Sequence, residues 1–389
     1  MPLRFLLLLV CCCCATSSQA QEERFQKFRI NGYIKDLQLL SWLKTPESLV
    51  TNNFIHNRIN IRYQPISSLT FGLEVRNRFF FGEQVKLTPG FGEMLDMDNG
   101  TVDLSFTYLN RPPVVFHTKI DRLYVDWNNG KWNIRLGRQR VNWGINLAWN
   151  PNDIFNSYNF LDFDYEERPG TDAIKVAYHF EGFSNLELVV QPATNDSTII
   201  GALKYAFNRR GYDFQFFAGN YHRDVVLGMG WAGHIKDAGF KAELTYFHGW
   251  QNFSKLPVTF VGTTSVDYSF KKGWYLNGSF LYNSAGQRTL SSGTAFSAFE
   301  LTPKNLMPGR YSILVQTSKQ FTPLLNSSLS VIYSPEMNLL IINPYIGYSI
   351  ATNFDIDVIV QSFFANKANN KFDVLGNSFF LRIKWSFSN

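Results

Sequence analysis

Cysteine is nearly absent from this chain: there are four, all in the run Cys11–Cys14, so nothing downstream offers a disulfide or a thiolate. Long apolar runs are also missing. Past residue 20 no stretch approaches the roughly 18 residues of a membrane helix. The six histidines are scattered with no metal-ligand spacing. Neither G-x-S-x-G nor a glycine-rich phosphate loop occurs. Asp96-Met97-Asp98-Asn99-Gly100 has part of a calcium-loop pattern, but Gly100 comes one place early and the closing glutamate is missing. Together these absences leave no metal site, no cofactor and no enzyme signature. The formal net charge of +6 is too mild to indicate nucleic acid. No linker divides the chain, which reads as one domain.

Three features are present instead. Residues 1–20 have the build of a secretory signal: Arg4, an apolar core from Phe5 to Cys14, and Ser18-Gln19-Ala20 as a small-x-small cleavage site. Val10 before Cys11 disfavours lipidation. A lead-in at 21–27 then precedes the folded part, 28–389. Aromatic content is 16%, with 36 Phe and 18 Tyr, a composition that suits lipid-facing strands and interfacial girdles.

The third feature is alternation. From Asn53 to Gly82, Ile55, Ile59, Ile61 and Tyr63 share one parity against His56, Arg58, Asn60, Arg62 and Gln64. Leu69, Phe71, Leu73, Val75, Phe79 and Phe81 do the same against Thr70, Glu74, Arg76 and Arg78. A period of two means β-strand. Strands about twice the usual 5 to 6 residues, with arginines on the polar side, fit a bilayer-crossing strand with one face to lipid and one to a wet lumen. The pattern recurs along the whole chain. It predicts an all-β fold, a transmembrane antiparallel up-and-down β-barrel of about 18 strands, with 16 as the smaller count. Tight turns fall at every second junction and long connections at the others, as expected for short periplasmic turns and long extracellular loops in a bacterial outer membrane.

Asn129-Gly130 predicts a two-residue hairpin with Trp127 opposite Trp132 and Asp126 opposite Asn133. The closing strand, 378–389, sends Phe379, Leu381, Ile383, Trp385 and Phe387 outward and Arg382, Lys384 and Ser386 inward. It resembles the signal that barrel-assembly machinery reads, with Ser388-Asn389 displacing the usual final aromatic.

The run Gly137-Arg138-Gln139-Arg140-Val141-Asn142-Trp143-Gly144, followed by Asn150-Pro151-Asn152-Asp153 and Arg168-Pro169-Gly170, resembles the strand-plus-loop signature of bacterial porin-like outer-membrane proteins related to the alginate-export type. The resemblance covers 137–170 and implies a channel. By analogy with porins, the loop after the fifth strand, 142–172, would fold into the lumen and constrict it.

The residues themselves give a candidate wall and a candidate loop. Pore-lining bases are Arg58, Arg62, Arg76, Arg78, Arg122 and Arg135, against the acids Glu74 and Asp126. The loop carries Asp153, Asp162, Asp164, Glu166, Glu167 and Asp172, against Arg168. Arginines facing acids would set a transverse field across a pore; the alternative is structural ion pairing, with Arg58 and Glu74 as cross-strand neighbours. Strict alternation would send Arg138 and Arg140 to lipid. A β-bulge near Gly137 would return both to the lumen; alternatively they lie above the bilayer. Loop aromatics Trp143, Trp149, Phe155, Tyr158, Phe160, Phe163 and Tyr165 would either stack on sugars or pack the loop against the wall.

The reading is a passive channel for small hydrophilic solutes, anionic ones or saccharides among them, embedded in outer-membrane lipid and open to homo-oligomerisation. Its rivals are a plugged barrel for envelope polysaccharide export or assembly, and a barrel-embedded hydrolase with His248 as its one nameable residue.

Overall fold

A computed structural model describes residues 27–44, 47–98, 100–157, 160, 168–193, 199–250, 257–288, 301–366 and 372–389. The predicted signal and most of the lead-in lie outside them. The strands are β1 Phe28–Lys44, β2 Glu47–Ile66, β3 Leu69–Gly82, β4 Ser105–Arg111, β5 Val114–Asn128, β6 Trp132–Gln139, β7 Thr171–His179, β8 Asn185–Gln191, β9 Ile200–Arg209 and β10 Tyr212–Tyr221. They continue with β11 Asp224–Ile235, β12 Ala238–Gly249, β13 Thr259–Ser269, β14 Trp274–Asn283, β15 Tyr311–Thr322, β16 Leu325–Ser334, β17 Leu339–Ala351, β18 Phe354–Asn366 and β19 Phe372–Ser388. Two short helices, α1 Glu83–Leu87 and α2 Phe91–Asp96, follow β3.

Every strand is antiparallel to its neighbours, and β1 pairs with β19 from Asn31↔Ser388 to Leu43↔Gly376, so the sheet closes. Closure leaves no sheet edge to be satisfied in hydrocarbon. β3 pairs along its length with β5, while β4 occupies the stretch of the far edge of β5 that β6 leaves vacant. The wall therefore has 18 strands, the larger of the expected counts, with β4 as an addition inside the 83–113 connection.

Alternation sorts side chains as the sequence predicts. In β1, Ile34, Leu40 and Trp42 are exposed while Tyr33, Lys35 and Leu37 are buried. The exposed set continues round the wall through Ile55, Leu123, Leu203, Phe216, Leu276, Val315 and Ile383. A belt of large exposed apolar side chains this continuous is a lipid surface, since a water-soluble fold would bury it. The buried set faces the lumen.

Two local expectations are corrected. The Asn129-Gly130 connection is wider than two residues: Asn128 pairs with Asn133 and Asp126 with Arg135, a register two residues from that predicted. Gly130 has φ +92 but Asn129 does not share the positive φ that the two-residue turn requires. Instead the Asn129 N–H donates to the Trp132 carbonyl at 3.1 Å, and Asn129 Oδ1 accepts from the Trp132 N–H at 2.8 Å. A shift of two keeps every face. Trp132 meets Tyr178 of β7, ring centroids 4.8 Å apart, rather than Trp127. The bulge also falls elsewhere: β6 runs past Gly137 without a register shift, and the shift lies in β5, where Asp121 is the extra residue between Arg122, opposite Glu74, and Ile120, opposite Val75.

Candidate functional site

The lumen is filled from the end that bears the long connections. The α1–α2 segment turns inward: Val85 is buried with Leu37, Phe54, Phe80, Val115, Ile359 and Phe380, all on the inward parity, and Phe91 and Leu95 pack against that cluster. The 141–156 segment turns inward too. Trp143, Trp149, Ile154 and Phe155 are buried with inward residues such as Val189, Phe217, Phe247 and Val261, and Leu306 and Met307 join the same cluster. Sequence reasoning singled out the second insertion and missed the first and third. The apolar spacing of Val85, Phe91 and Leu95 was a signal for the first.

Polar anchors hold the 141–156 segment. Glu243 of β12, 3% exposed, accepts from the Ile145, Asn146 and Asn152 backbone N–H groups at 2.6, 2.8 and 3.1 Å, and from Asn146 Nδ2 at 3.2 Å. Thr245 and Ser265 donate hydroxyls to Asn152 and Asn146 at 2.8 and 2.7 Å, and Gln215 Nε2 donates to the Trp143 carbonyl at 2.6 Å. Trp143 donates through Nε1 to Glu187, and Lys204 lies 5.1 Å from its ring centroid. Within the segment Asp153 accepts from the Trp143 and Gly144 N–H groups at 2.6 and 2.7 Å and pairs with Arg168. Burial pushes the Asp153 carboxyl up despite that pairing. The wall residues in this network, Glu243 and Gln215 above all, were not foreseen. Each sits on the inward parity, but only folding brings it to its partner.

Among the described residues, several of the inward arginines find counter-charge on the wall itself. Arg58, 1% exposed, pairs with Glu74 and with Asp121 Oδ2 at 2.6 Å; Arg76 takes Asp121 Oδ1 at 2.9 Å. The bulge is what turns Asp121 inward beside Arg122, so a carboxylate invisible to strict alternation serves two guanidinium groups. Arg122 donates to the Asp121 carbonyl at 2.8 Å and to the Arg168 carbonyl. Arg135 pairs with Asp126 at 2.9 Å and lies over Tyr124. Arg62 is exposed near the short turn, 3.5 Å from Gln64.

Arg138, by contrast, belongs to a rim clamp. It keeps the parity of Ile134 and Leu136, pairs with Asp98 at 2.6 Å and Asp172 at 2.7 Å, and donates to the Val102 carbonyl at 2.6 Å. Asp172 is a β7 residue rather than a loop acid, and it also accepts from Val102 N–H at 3.0 Å. Arg140 lies beyond the last residue of β6, exposed and 3.1 Å from Asn142, which fits the alternative that no bulge is needed. Asp98 serves this clamp, so the partial calcium-loop pattern is absorbed by Arg138. Asp162, Asp164, Glu166 and Glu167 lie outside the described residues, as do Tyr158, Phe163 and Tyr165. Trp143, Trp149 and Phe155 are packed, not presented, which removes them as a sugar-stacking platform.

One serine–histidine–acid grouping does occur. Ser105 Oγ lies 2.8 Å from His117 Nε2, with Asp96 3.9 Å from the same nitrogen. Arg78, which can only donate, lies 3.2 Å from Nδ1. Nδ1 therefore accepts, and the Nε2 proton points at the serine, opposite to what a general base needs. His248 is on the outward parity with Nδ1 3.0 Å from Tyr246 Oη.

More basic residues join the wall than the arginines expected from alternation. Lys35 of β1 and Lys384 of β19 lie 5.2 and 4.8 Å from the centroid of the inward Tyr33 ring, and Arg382 pairs with Asp357 at 2.8 Å. Lys384, Lys35, Arg58, Arg76 and Arg78 thus stand on four successive strands, β19, β1, β2 and β3.

No protein-family model matches the sequence, and no curated protein matches it by sequence. Solved structures match in fold. OccK5 (OpdH) of Pseudomonas aeruginosa is 9% identical, with 93% of this chain and 99% of that chain covered at a TM-score of 0.60. OccAB3 of Acinetobacter baumannii is 10% identical over 93% and 99%, TM-score 0.57. OpdK of Pseudomonas aeruginosa, solved with vanillate, is 9% identical over 94% and 99%, TM-score 0.56. The likeness carries a porin-type barrel and not the alginate-export relation that 137–170 suggests. By its closed 18-strand wall and its full-length match to these chains, the protein has the fold of the outer-membrane porin barrels.

Proposed function

We propose that the protein is a passive outer-membrane channel that favours small anionic solutes. The observation that carries this reading is the basic column Lys384, Lys35, Arg58, Arg76 and Arg78 on the inward parity of β19, β1, β2 and β3, set against Glu74 and Asp121. Excess positive charge along one side of a lumen raises the local concentration of anions and sets ion preference. The 141–156 and α1–α2 segments narrow the passage, the first from the β10–β13 side and the second against the basic column. Barrels of this strand number leave an aqueous opening when not plugged. A carboxylate solute suits a passage with a basic column along one side, and the neighbour solved with vanillate makes small aromatic carboxylates the first class to test. A rival observation, the packing of three segments inside the lumen, favours a sealed barrel of the polysaccharide-export kind.

Planar-bilayer recording separates them: discrete ohmic steps with an anion-selective reversal potential are expected, and a barrel that inserts without conducting overturns the proposal. Arg76→Gln with Arg78→Gln should move the reversal potential toward cation preference.

A further inference from the structure

In its half nearer the short turns, one side of the lumen wall is polar without being charged. The four successive strands β14 to β17 carry a single acidic or basic residue, Lys319, and it points outward, 4.9 Å from the centroids of both the Trp274 and Phe321 rings. On the inward parity one row crosses all four strands pair by pair: Asn277 opposite Gln316, Gln316 opposite Ser330, and Ser330 opposite Asn343. The next row toward the short turns is Tyr275, Ser318, Ser328 and Tyr345. In the first row Asn277 Nδ2, Gln316 Oε1 and Asn343 Oδ1 are buried with no hydrogen-bond partner, and Asn277 as a whole is 1% exposed. Buried polar groups are ordinarily satisfied, so a donor and two acceptors left open along one row point to a ligand that hydrogen-bonds. At one end the row meets the seat of the 141–156 segment, since Ser265, paired with Ser279 beside Asn277, donates to Asn146 at 2.7 Å. At the other end it joins the basic column. Tyr345 donates to Asp357 at 2.6 Å, and Asp357 accepts at 2.8 Å from Arg382, two residues before Lys384.

We propose that this row is a binding site for hydroxyl groups, through which the channel selects polyhydroxylated carboxylates, of the sugar-acid class, over carboxylates with an apolar body. A hydroxyl both donates and accepts, so a solute with several of them satisfies a carboxamide N–H and carboxamide oxygens together. An alkyl or aromatic body would leave those groups unpaired, and a site built to bond hydroxyls rejects the analogue that lacks them. Asp267, opposite Asn277 at the β13 end, accepts from hydroxyls and repels a carboxylate, so the solute's own charge is turned the other way, toward the basic column. Only β18 separates β17 from β19, about 10 Å at the usual strand spacing, so Asn343 and Lys384 stand close enough to hold the two ends of one small solute. The site rests on the anion-channel reading and narrows it: the column sets the charge of the solute, and the row sets its body.

The test uses the purified protein in planar bilayers. Gluconate and hexanoate, straight-chain monocarboxylates of equal length that differ in their hydroxyls, are each titrated against the chloride current. Gluconate should half-block at a concentration about tenfold or more below that of hexanoate, the worth of two net hydrogen bonds. Asn277→Ala with Asn343→Ala should abolish that advantage, and Leu276→Ala, on the lipid face of β14, should keep it. Heat-dependent gel mobility checks that the double variant folds; if it does not, the contrast between the two probes on wild type decides alone. Equal block by gluconate and hexanoate, or an advantage that survives in the folded double variant, overturns the hydroxyl site and leaves the anion channel standing. A barrel that carries no chloride overturns both.

Discussion

Replacing Glu243 by alanine should free the 141–156 segment from the barrel wall. Three backbone N–H groups, those of Ile145, Asn146 and Asn152, lose their acceptor in that variant. A buried donor left without a partner costs about 1 to 3 kcal/mol, so the three together weaken the seated segment by roughly 3 to 9 kcal/mol. Water that follows the truncated side chain into the lumen takes over some of these bonds and pulls the figure toward the lower end. Even about 3 kcal/mol raises the unseated fraction by about a hundredfold. The β12 ladders to β11 and β13 use backbone groups alone, so the wall should stay closed and the protein should keep its heat-dependent gel mobility. Single-channel recordings should then show a larger conductance with frequent steps between levels. Glu243→Gln should fall between wild type and alanine: its amide oxygen serves Ile145 and Asn146, while its amide N–H faces the Asn152 N–H. If Glu243→Ala folds and conducts as wild type does, the anchoring argument is wrong.

Four further outcomes are expected. Asp121→Asn removes the shared counter-charge of Arg58 and Arg76, and because breaking a buried pair costs about 3 to 5 kcal/mol, its melting temperature in detergent should drop clearly; a melt within error of wild type would count against the bulge as a charge hub. Trp143→Ala should cost a similar 3 to 5 kcal/mol of segment seating and increase conductance as Glu243→Ala does, read by the same recordings. The rim clamp should be acid-labile. Burial alone would raise the Asp98 carboxyl, but the Leu104 N–H and Arg138 hold it below the ordinary range. A depressed folded-state value contributes stability that is complete above the unfolded value of about 3.9 and is lost as pH falls through the folded one. Pepsin cleavage within 97–104 should therefore appear only below about pH 4, and ready cleavage near pH 5 would contradict the clamp. Mass spectrometry of protein from membranes should place the mature N-terminus at Gln21; retention of the first 20 residues would refute the signal reading.

The wall is legible in the sequence. A period of two is local: it survives without knowledge of any partner, so the 18 long strands, their lipid and lumen faces, and the inward placement of Arg58, Arg76, Arg78 and Arg122 could be read directly. The same period is blind to shifts of two, which is why the Asn129-Gly130 hairpin kept its faces but not its partners, exchanging Asp126–Asn133 for Asp126–Arg135. It is equally blind to where an extra residue is inserted, so Asp121, the acid that balances the arginine wall, went unseen. What occupies the lumen emerges only in the folded chain. The 141–156 segment is fixed by Glu243, 98 residues from Ile145, and α1–α2 by an apolar cluster drawn from β1, β2, β3, β5, β18 and β19. Such contacts form only once the wall has closed and brought distant strands around one space, and no periodicity along the chain encodes them.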